Sequence, residues 1–203
     1  MRVIVGLGNP GPDYDATRHN VGWWTVDRLA YDWGFGGFER EGRALVIRGQ
    51  VGAEPVWLVK PRTYVNRSGL ALRFVWELEE FDPSEDLLVV VDDAALDVGR
   101  VRFRPEGSPG GHNGLKSVSG ALRSDRYPRL RIGVGRKPEG VDLADWVLSP
   151  MPEEDEDVVV GLLPELTHDH VLIFFGHRGE NPVRQVQSLG LPYHTHPQAR
   201  VPV

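Results

Sequence analysis

The sequence predicts a single α/β domain built on a twisted, mixed β-sheet with helices on its flanks. Val3–Leu7 and Leu87–Val91 are short, uninterrupted apolar runs, which is the pattern of buried central strands. Around them, strand-like segments alternate with segments whose apolar residues recur every three or four positions, as they do in helices. A chain of 203 residues is long enough for one sizeable core, so one domain is expected.

The predicted strands carry three kinds of signal. The first and fourth are the apolar runs, the second and third are apolar segments closed by turn-forming residues, and the last two alternate arginine with apolar side chains. In chain order they are Val3–Leu7, Arg43–Arg48, Val56–Val59, Leu87–Val91, Arg100–Arg104 and Leu130–Val134. Asp92 and Asp93 directly follow the fourth strand, which is typical of a central strand carrying acids at its C-terminal end.

The predicted helices follow from apolar residues at helical spacing. They cover residues 23–33, 70–78, 113–122 and 158–166. Gly34 ends the first helix, and Pro164 should bend or break the last one. Residues 1–190 are expected to form the domain, with 138–177 as its acidic C-terminal part. Residues 191–203 contain three prolines and few apolar side chains, so they are expected to form a disordered tail.

Composition favours a cytoplasmic protein. The chain has no cysteine, which excludes disulfides, thiolate nucleophiles and cysteine-bound metals. Its N-terminal apolar run is too short for a signal peptide, and no later run predicts a membrane span.

Charge is distributed very unevenly along the chain. The net charge is −6, yet residues 100–137 hold ten Lys or Arg and two acids, while residues 138–177 hold ten acids and no Lys or Arg. A local basic excess suits a nucleic-acid partner, because phosphate binding depends on local potential. Charge alone leaves a second possibility open, in which two solvated surfaces of opposite sign attract each other.

The arginines favour the first possibility. Alternation in Arg100–Arg104 places three guanidinium groups on one face of a strand, and Arg129-Leu130-Arg131 repeats the pattern. Solvated strands ordinarily mix threonine, glutamate and lysine on the outer face. Five arginines without an acid therefore predict a phosphate-facing surface.

Four of the five asparagines lie in short motifs rich in glycine, proline and histidine. They are Asn9 in Gly-Leu-Gly-Asn-Pro-Gly, Asn20 after Arg18-His19, Asn66 in Tyr-Val-Asn-Arg-Ser-Gly, and Asn113 in Gly-Gly-His-Asn-Gly. An amide offers a donor and an acceptor, and histidine transfers protons near neutral pH. The motifs predict a polar catalytic cleft formed by several loops, although asparagine beside glycine or proline is also common in simple turns.

One motif suggests a different enzyme class. Gly6-x-Gly8-x-x-Gly11 after a strand matches the dinucleotide-binding fingerprint, which needs a helix at its third glycine and an acid about 20 residues later at a strand end. Here Pro12 follows the third glycine, and Asp27 lies inside a predicted helix. An NAD-binding enzyme is therefore disfavoured.

Two histidine pairs raise the question of a metal site. His168 and His170, just beyond the last predicted helix, are expected to be helical as well, where positions i and i+2 face apart. His194 and His196 lie in the predicted tail. Surface histidines are the favoured interpretation, and no metal or cofactor is expected.

Several motifs in a fixed order resemble those of the bacterial-type peptidyl-tRNA hydrolase family. They are Gly6–Gly11 with Tyr14 and Thr17–Gly22, Lys60–Gly69, Asp92, Gly110–Ser117 and Arg129–Gly135. The resemblance covers roughly the first 150 residues. The acidic stretch that follows resembles the family's lid-like C-terminal region only in character.

The resemblance implies a cytoplasmic monomer that cleaves the ester between a nascent peptide and the 3′ ribose of tRNA, recycling tRNA from peptidyl-tRNA released prematurely by ribosomes. It implies no metal and no covalent intermediate. His19 would be the general base that activates water, and Asp92 would orient and stabilise its imidazole. Asn113 would orient the water or the substrate carbonyl. Asn9 would accept a hydrogen bond from the blocked α-nitrogen of the substrate and so distinguish peptidyl- from aminoacyl-tRNA.

The resemblance also implies contacts with the acceptor stem and the 3′ CCA end of tRNA. The residues expected to bind substrate or tRNA are Tyr14, Tyr64, Asn66, His112, Asn113, Arg104 and Arg131. Two positions depart from the family pattern: Val65 replaces a methionine, and Ala95 stands where the family has a second acid. A register shifted by one residue would bring Asp93 rather than Asp92 to His19. The seven-residue spacing to Gly99 favours Asp92.

A non-catalytic RNA-binding module using the basic face from Arg100 to Arg131 is the alternative. Such a module would have no need of His19 and Asp92 together.

Overall fold

The structure, a computed structural model, describes residues 1–166, and its main feature there is one seven-stranded sheet in the order β2-β3-β4-β1-β5-β7-β6. The strands are β1 Arg2–Gly6, β2 Glu39–Glu41, β3 Ala44–Val51, β4 Glu54–Pro61, β5 Leu87–Asp93, β6 Val101–Arg104 and β7 Arg129–Gly133. The four central strands, β4, β1, β5 and β7, are parallel, and the outer pairs are antiparallel. The predicted mixed α/β sheet is confirmed.

Helices cover both faces of this sheet. They are α1 Val21–Asp32, α2 Ser68–Ala71, α3 Arg73–Trp76, α4 Pro83–Asp86, α5 Asn113–Leu122, α6 Leu143–Leu148 and α7 Glu153–Glu165. Three short 3₁₀ turns complete the set within residues 1–166, at Pro12–Tyr14, Arg18–Asn20 and Val65–Arg67. The alternation of side chains along each strand divides the core between the two faces.

Each face of the sheet has its own hydrophobic cluster. Ile4, Leu88 and Leu130 point to the face covered by α1 and α7. Val3 and Val89 point to the opposite face, which α5 covers. All five are fully buried, and burying a side chain of this size stabilises the fold by about 1.5–3 kcal/mol.

The start of α1 lies unusually close to the sheet. A Cβ atom on Gly22 would lie 2.5 Å from the carbonyl oxygen of Leu7 and 2.6 Å from that of Val90. Only glycine allows this approach, which brings the turn before α1 to the C-terminal end of β5. Asp92 and Asp93 are the last residues of β5, so the acids lie at the C-terminal end of this strand, as the sequence predicted, and beside that turn.

Some elements differ from the prediction. The predicted helix over residues 70–78 is split into α2 and α3 at Leu72, and α7 continues through Pro164 to end at Glu165. The predictions had no counterpart of β2, α4 or α6. β2 is an edge strand of three charged residues, Glu-Arg-Glu, and therefore lacks apolar alternation. The two helices are four and six residues long, too short for a helical period to show, and only their N-caps Asp82 and Asp142 mark them.

Several predictions fall partly or wholly outside the described residues. The predicted acidic part, 138–177, is described only as far as residue 166, where it contains α6 and α7. The predicted tail, 191–203, and the histidine pairs at His168 with His170 and His194 with His196 lie beyond it. No helix within the described range is long and apolar enough to cross a bilayer.

The contact between α2 and α5 gives a stability prediction. A Cβ atom on Gly69 would lie 2.2 Å from the carbonyl oxygen of Ser117, whereas one on Gly120 would meet no atom within 4 Å. We expect Gly69→Ala to lower the free energy of unfolding by about 1–3 kcal/mol through overpacking. The matched Gly120→Ala should raise it by about 0.5–1 kcal/mol, because alanine is the better residue inside a helix. Urea unfolding measures both, and equal stability of the two variants would contradict the packing described.

Candidate active site

A cleft of about 780 Å³ opens at the C-terminal edge of the parallel strands. Such crevices are where open α/β sheets ordinarily bind ligands. Nine of the ten residues that the sequence singled out line its wall: Asn9, Tyr14, His19, Tyr64, Asn66, Asp92, His112, Asn113 and Arg131. Arg104 does not line the cleft. The loops after β1, β4 and β5 and the start of α5 therefore meet in one site.

The floor of the cleft holds a buried histidine–carboxylate pair. His19 lies in the 3₁₀ turn before α1, and its Nδ1 is 2.5 Å from Oδ1 of Asp92. Asp92, not Asp93, therefore faces the histidine, in the register that the sequence favoured. A buried carboxylate needs a donor, so Nδ1 carries the proton and Nε2 is the nitrogen that can act as a base.

Electrostatics keep this pair ready for proton transfer. Burial alone would raise the pKa of the Asp92 carboxyl, but the neighbouring histidines His19 and His112 hold that pKa far below its usual range. Burial also lowers the pKa of His19. The charge and hydrogen bond of Asp92 outweigh this and raise the pKa of His19 above its ordinary value. Asp92 is therefore ionised at neutral pH, and it stabilises a protonated imidazole.

His112 gives Asp92 a second hydrogen bond. The residue is the N-cap of α5, and its Nδ1 accepts from the backbone N–H groups of Gly114 at 3.1 Å and Leu115 at 3.2 Å. The proton must therefore sit on Nε2, which donates to Oδ1 of Asp92 at 3.0 Å. Both ring nitrogens are used inside the protein. His112 thus supports Asp92 through its ring nitrogens, and the substrate contact implied by the resemblance has no free ring nitrogen to make it.

His19, Asp92 and His112 also place three possible metal ligands within 4.8 Å of one another. The nitrogens that face the carboxylate each carry the hydrogen of a hydrogen bond. A cation bound there would have to displace both hydrogens. Nδ1 of His112 already accepts from two backbone N–H groups, so the ring carries its one proton on Nε2 and would lose it. The hydrogen-bond network accounts for this cluster without a metal ion.

Asn9 is held in one orientation by its neighbours. Its side-chain oxygen accepts from the N–H of Val65 at 2.9 Å. Its backbone N–H and carbonyl pair with the side-chain amide of Asn20, at 2.8 and 3.0 Å. The Nδ2 group of Asn9 is thus a donor available to a ligand, and its side-chain oxygen keeps a second lone pair. The expectation that Asn9 accepts from a substrate nitrogen stays a prediction. The clamping role of Asn20, which the sequence marked only by its place beside His19, was not predicted.

Aromatic and amide groups form the mouth of the cleft. The rings of Tyr14 and Tyr64 meet edge to face with centroids 6.1 Å apart, and Tyr64 is 58% exposed. Asn66 is exposed nearby. Asn113, the first residue of α5, is exposed with its side-chain oxygen 3.4 Å from Nζ of Lys116. These groups offer stacking surfaces and amide donors to a ligand that enters from solvent.

The arginines of β6 and β7 share one face, as predicted, because Arg104 pairs with Arg129 across the two strands. Arg104 is exposed, whereas Arg129 is 1% exposed. The guanidinium of Arg129 stacks on Tyr127 and donates to backbone carbonyls, including that of Asp125 at 2.8 Å. Burial lowers the pKa of Arg129. The prediction that Arg129 faces phosphate is therefore wrong, because backbone oxygens occupy its guanidinium.

The predicted acidic part contributes one wall of the cleft. Leu143 and Val147 of α6 line it, and Arg18, the neighbour of His19, fastens the end of this helix. The guanidinium of Arg18 lies 3.8 Å from the ring centre of Trp146 and donates to Oγ of Ser149 at 2.6 Å. His19 and this wall are thus attached to each other through adjacent residues, a link that the sequence did not reveal.

Comparisons with known proteins agree with this geometry. A family model described as peptidyl-tRNA hydrolase matches residues 3–188. A peptidyl-tRNA hydrolase of Gemmatimonas aurantiaca is 48% identical over 169 residues, which cover 82% of this chain and 89% of that protein. One from Symbiobacterium thermophilum is 46% identical over 165 residues, covering 80% and 87%. The crystal structure of a peptidyl-tRNA hydrolase from Acinetobacter baumannii superimposes with a TM-score of 0.82 at 30% identity, covering 93% of each chain. The chain belongs to the peptidyl-tRNA hydrolase family.

Proposed function

We propose that this protein hydrolyses the ester bond between a peptide, or an N-blocked amino acid, and the 3′ ribose of tRNA. In the cell this would recycle tRNA from peptidyl-tRNA that ribosomes release prematurely. The observation that carries the proposal is the 2.5 Å contact between His19 and the buried Asp92 at the floor of a polar cleft. Membership of the family supports the same reaction.

The proposed first step is attack by water on the ester carbonyl. Nε2 of His19 takes a proton from water as the water oxygen bonds to the carbonyl carbon, and Asp92 stabilises the imidazolium that forms. The tetrahedral intermediate then collapses. The bond to the ribose oxygen breaks, and that oxygen receives the proton from His19. A positioned base of this kind contributes about 10²–10⁴-fold.

Two asparagines suit the charge that develops in this step. Asn9 presents Nδ2 because its oxygen is engaged by Val65, and the oxygen of Asn113 is next to the ammonium of Lys116. We assign both amide nitrogens to substrate carbonyl oxygens, where donors stabilise an oxyanion. A free α-ammonium beside such a donor would find no acceptor. This disfavours aminoacyl-tRNA and preserves the discrimination expected of Asn9 by a different contact.

Recognition of tRNA is proposed to extend from the mouth of the cleft to the edge strand. Tyr14, Tyr64 and Asn66 would hold the 3′ CCA end by stacking and hydrogen bonds. Arg104 on β6 would contact phosphates of the acceptor stem, with Arg131 nearer the cleft. The same proposal makes the protein a cytoplasmic monomer, as the resemblance implies.

One assay separates this proposal from a non-catalytic RNA-binding module. The protein is incubated with N-blocked aminoacyl-tRNA in the presence of a chelator, and free tRNA is measured. An esterase releases tRNA with multiple turnovers. A binding module retains the intact ester, and that result would overturn the proposal.

The role of His19 leads to a mutational prediction. His19→Ala should lower turnover by about 10²-fold or more while tRNA affinity stays near that of the wild type, because only the proton acceptor is lost. His19 must be neutral to act, and its pKa is raised. As the pH falls, the wild type should therefore begin to lose activity at a pH above the ordinary histidine pKa of about 6.5. Affinity that falls in parallel with activity would indicate a structural histidine.

Asp92 and Asp93 form a matched pair for a second prediction. Asp92→Asn should lower turnover by about 10²-fold, since the amide no longer stabilises the imidazolium. The acid limb of the pH–rate profile should also move to lower pH, because the charge that raises the pKa of His19 is gone. Asp93→Asn should have a much smaller effect. The opposite ranking in kcat would show that Asp93 supports the base.

The exposed arginine of β6 leads to a third prediction. Arg104→Gln should reduce the slope of log affinity for tRNA against log salt by about one unit, since each phosphate contact releases roughly one counterion. Arg40→Gln is the matched control. Arg40 is exposed on β2 at the opposite edge of the sheet, and this substitution removes the same charge. Filter binding over a salt series measures both. An unchanged slope for Arg104→Gln would remove Arg104 from the tRNA surface.

A further inference from the structure

The loop between β6 and α5, residues 105–112, is fastened to β7 through its backbone carbonyls. Arg129 donates to the carbonyl oxygens of Gly107 and Ser108. Arg131 donates to those of Ser108 at 3.4 Å and Pro109 at 3.3 Å. Two arginines of one strand thus hold three successive residues of the loop.

Arg131 also reaches the catalytic strand β5. Its Nη1 lies 3.3 Å from Oδ2 of Asp93, while the other oxygen of Asp93 accepts from the N–H of Ala95 at 2.9 Å. The side chains of Arg131 and Asp93 are only 12% and 9% exposed. The guanidinium therefore joins the end of β5, next to Asp92, to the loop that leads into His112.

The loop depends on such external contacts. Gly110 and Gly111 have φ of 60° and 89°, and consecutive glycines in this region give the backbone little stiffness of its own. The carbonyl of Pro109, held by Arg131, also accepts from the N–H of His112 at 3.2 Å. A shift of this carbonyl would thus move His112, which donates to Asp92, and Asn113, which follows it.

We infer that Arg131 is a positioning residue for ester hydrolysis, in addition to any contact it makes with tRNA phosphate. Its planar fork sets the distance between the end of β5 and the loop carrying His112 and Asn113. This inference rests on the proposed function. It differs from a phosphate contact in one testable respect, because a positioning role is needed even for a substrate too short to reach the basic face.

The decisive variant is Arg131→Lys, which keeps the charge but replaces the fork with a single ammonium group. Turnover is measured on two substrates, full-length N-blocked aminoacyl-tRNA and an N-blocked aminoacyl ester of adenosine. We expect kcat on the adenosine ester to fall on the order of 10-fold for both Arg131→Lys and Arg131→Gln, with KM within about 3-fold, because small displacements of catalytic groups are costly. The lysine variant should retain the salt dependence of tRNA affinity. Arg126→Gln is the control, since Arg126 is 80% exposed and approaches Glu106 at the outer start of the same loop.

Each outcome decides the inference. A wild-type kcat on the adenosine ester for Arg131→Lys would overturn it and leave Arg131 as a phosphate contact. Lack of wild-type activity on both substrates would instead overturn the proposed function.

If the melting temperature shows that the Arg131 variants are unfolded, Asp93→Asn takes their place, because it removes the charge facing Arg131 while keeping an oxygen for the N–H of Ala95. It should lower kcat about 3-fold, and an unchanged kcat would overturn the inference.

Discussion

A carboxylate buried at the end of a β-strand has to be solvated by the protein itself, and much of this molecule follows from how Asp92 meets that requirement. Its Oδ1 accepts from His19 on one side and from His112 on the other. Leaving a buried charge without such donors would cost several kcal/mol. The donors lie just before the first residues of two different helices, so α1 and α5 must both start beside the end of β5. The geometry of the proposed active site is thus a consequence of stabilising one buried charge.

Close backbone approach is the second condition for this arrangement. Gly22 allows α1 to contact two backbone carbonyls, one just after β1 and one in β5. Gly114 allows α5 to pack against the side chains of Leu7 and Val65, each of which would lie 2.6 Å from a Cβ atom on this residue. These two glycines are each two or three residues from a histidine that binds Asp92. Any larger residue would move the donor away from the carboxylate, so packing and catalysis place the same demand on the sequence.

The sequence predicted the sheet, the long helices and the residues lining the cleft, because periodicity and the family-like motifs record them directly. It did not predict what each polar side chain binds. His112 and Asn9 depend on backbone N–H groups of α5 and of Val65, and such groups leave no trace in residue type. Asn20 was hidden for the same reason, since its amide pairs with the backbone of Asn9 and not with a side chain. Short helices such as α6 were not predicted, because six residues form fewer than two turns and show no helical period.

The arginines show how one sequence pattern can lead to different environments. Alternation correctly placed Arg104, Arg129 and Arg131 on one face, but it carries no information about strand order. β6 is the edge strand, whereas β7 lies between β5 and β6. The loop that returns from β6 to α5 supplies carbonyl oxygens to the arginines of β7, while Arg104 on the edge stays exposed. A basic strand becomes a nucleic-acid surface only where the sheet leaves it uncovered, and where it is covered the same guanidinium groups hold the backbone of the active site in place.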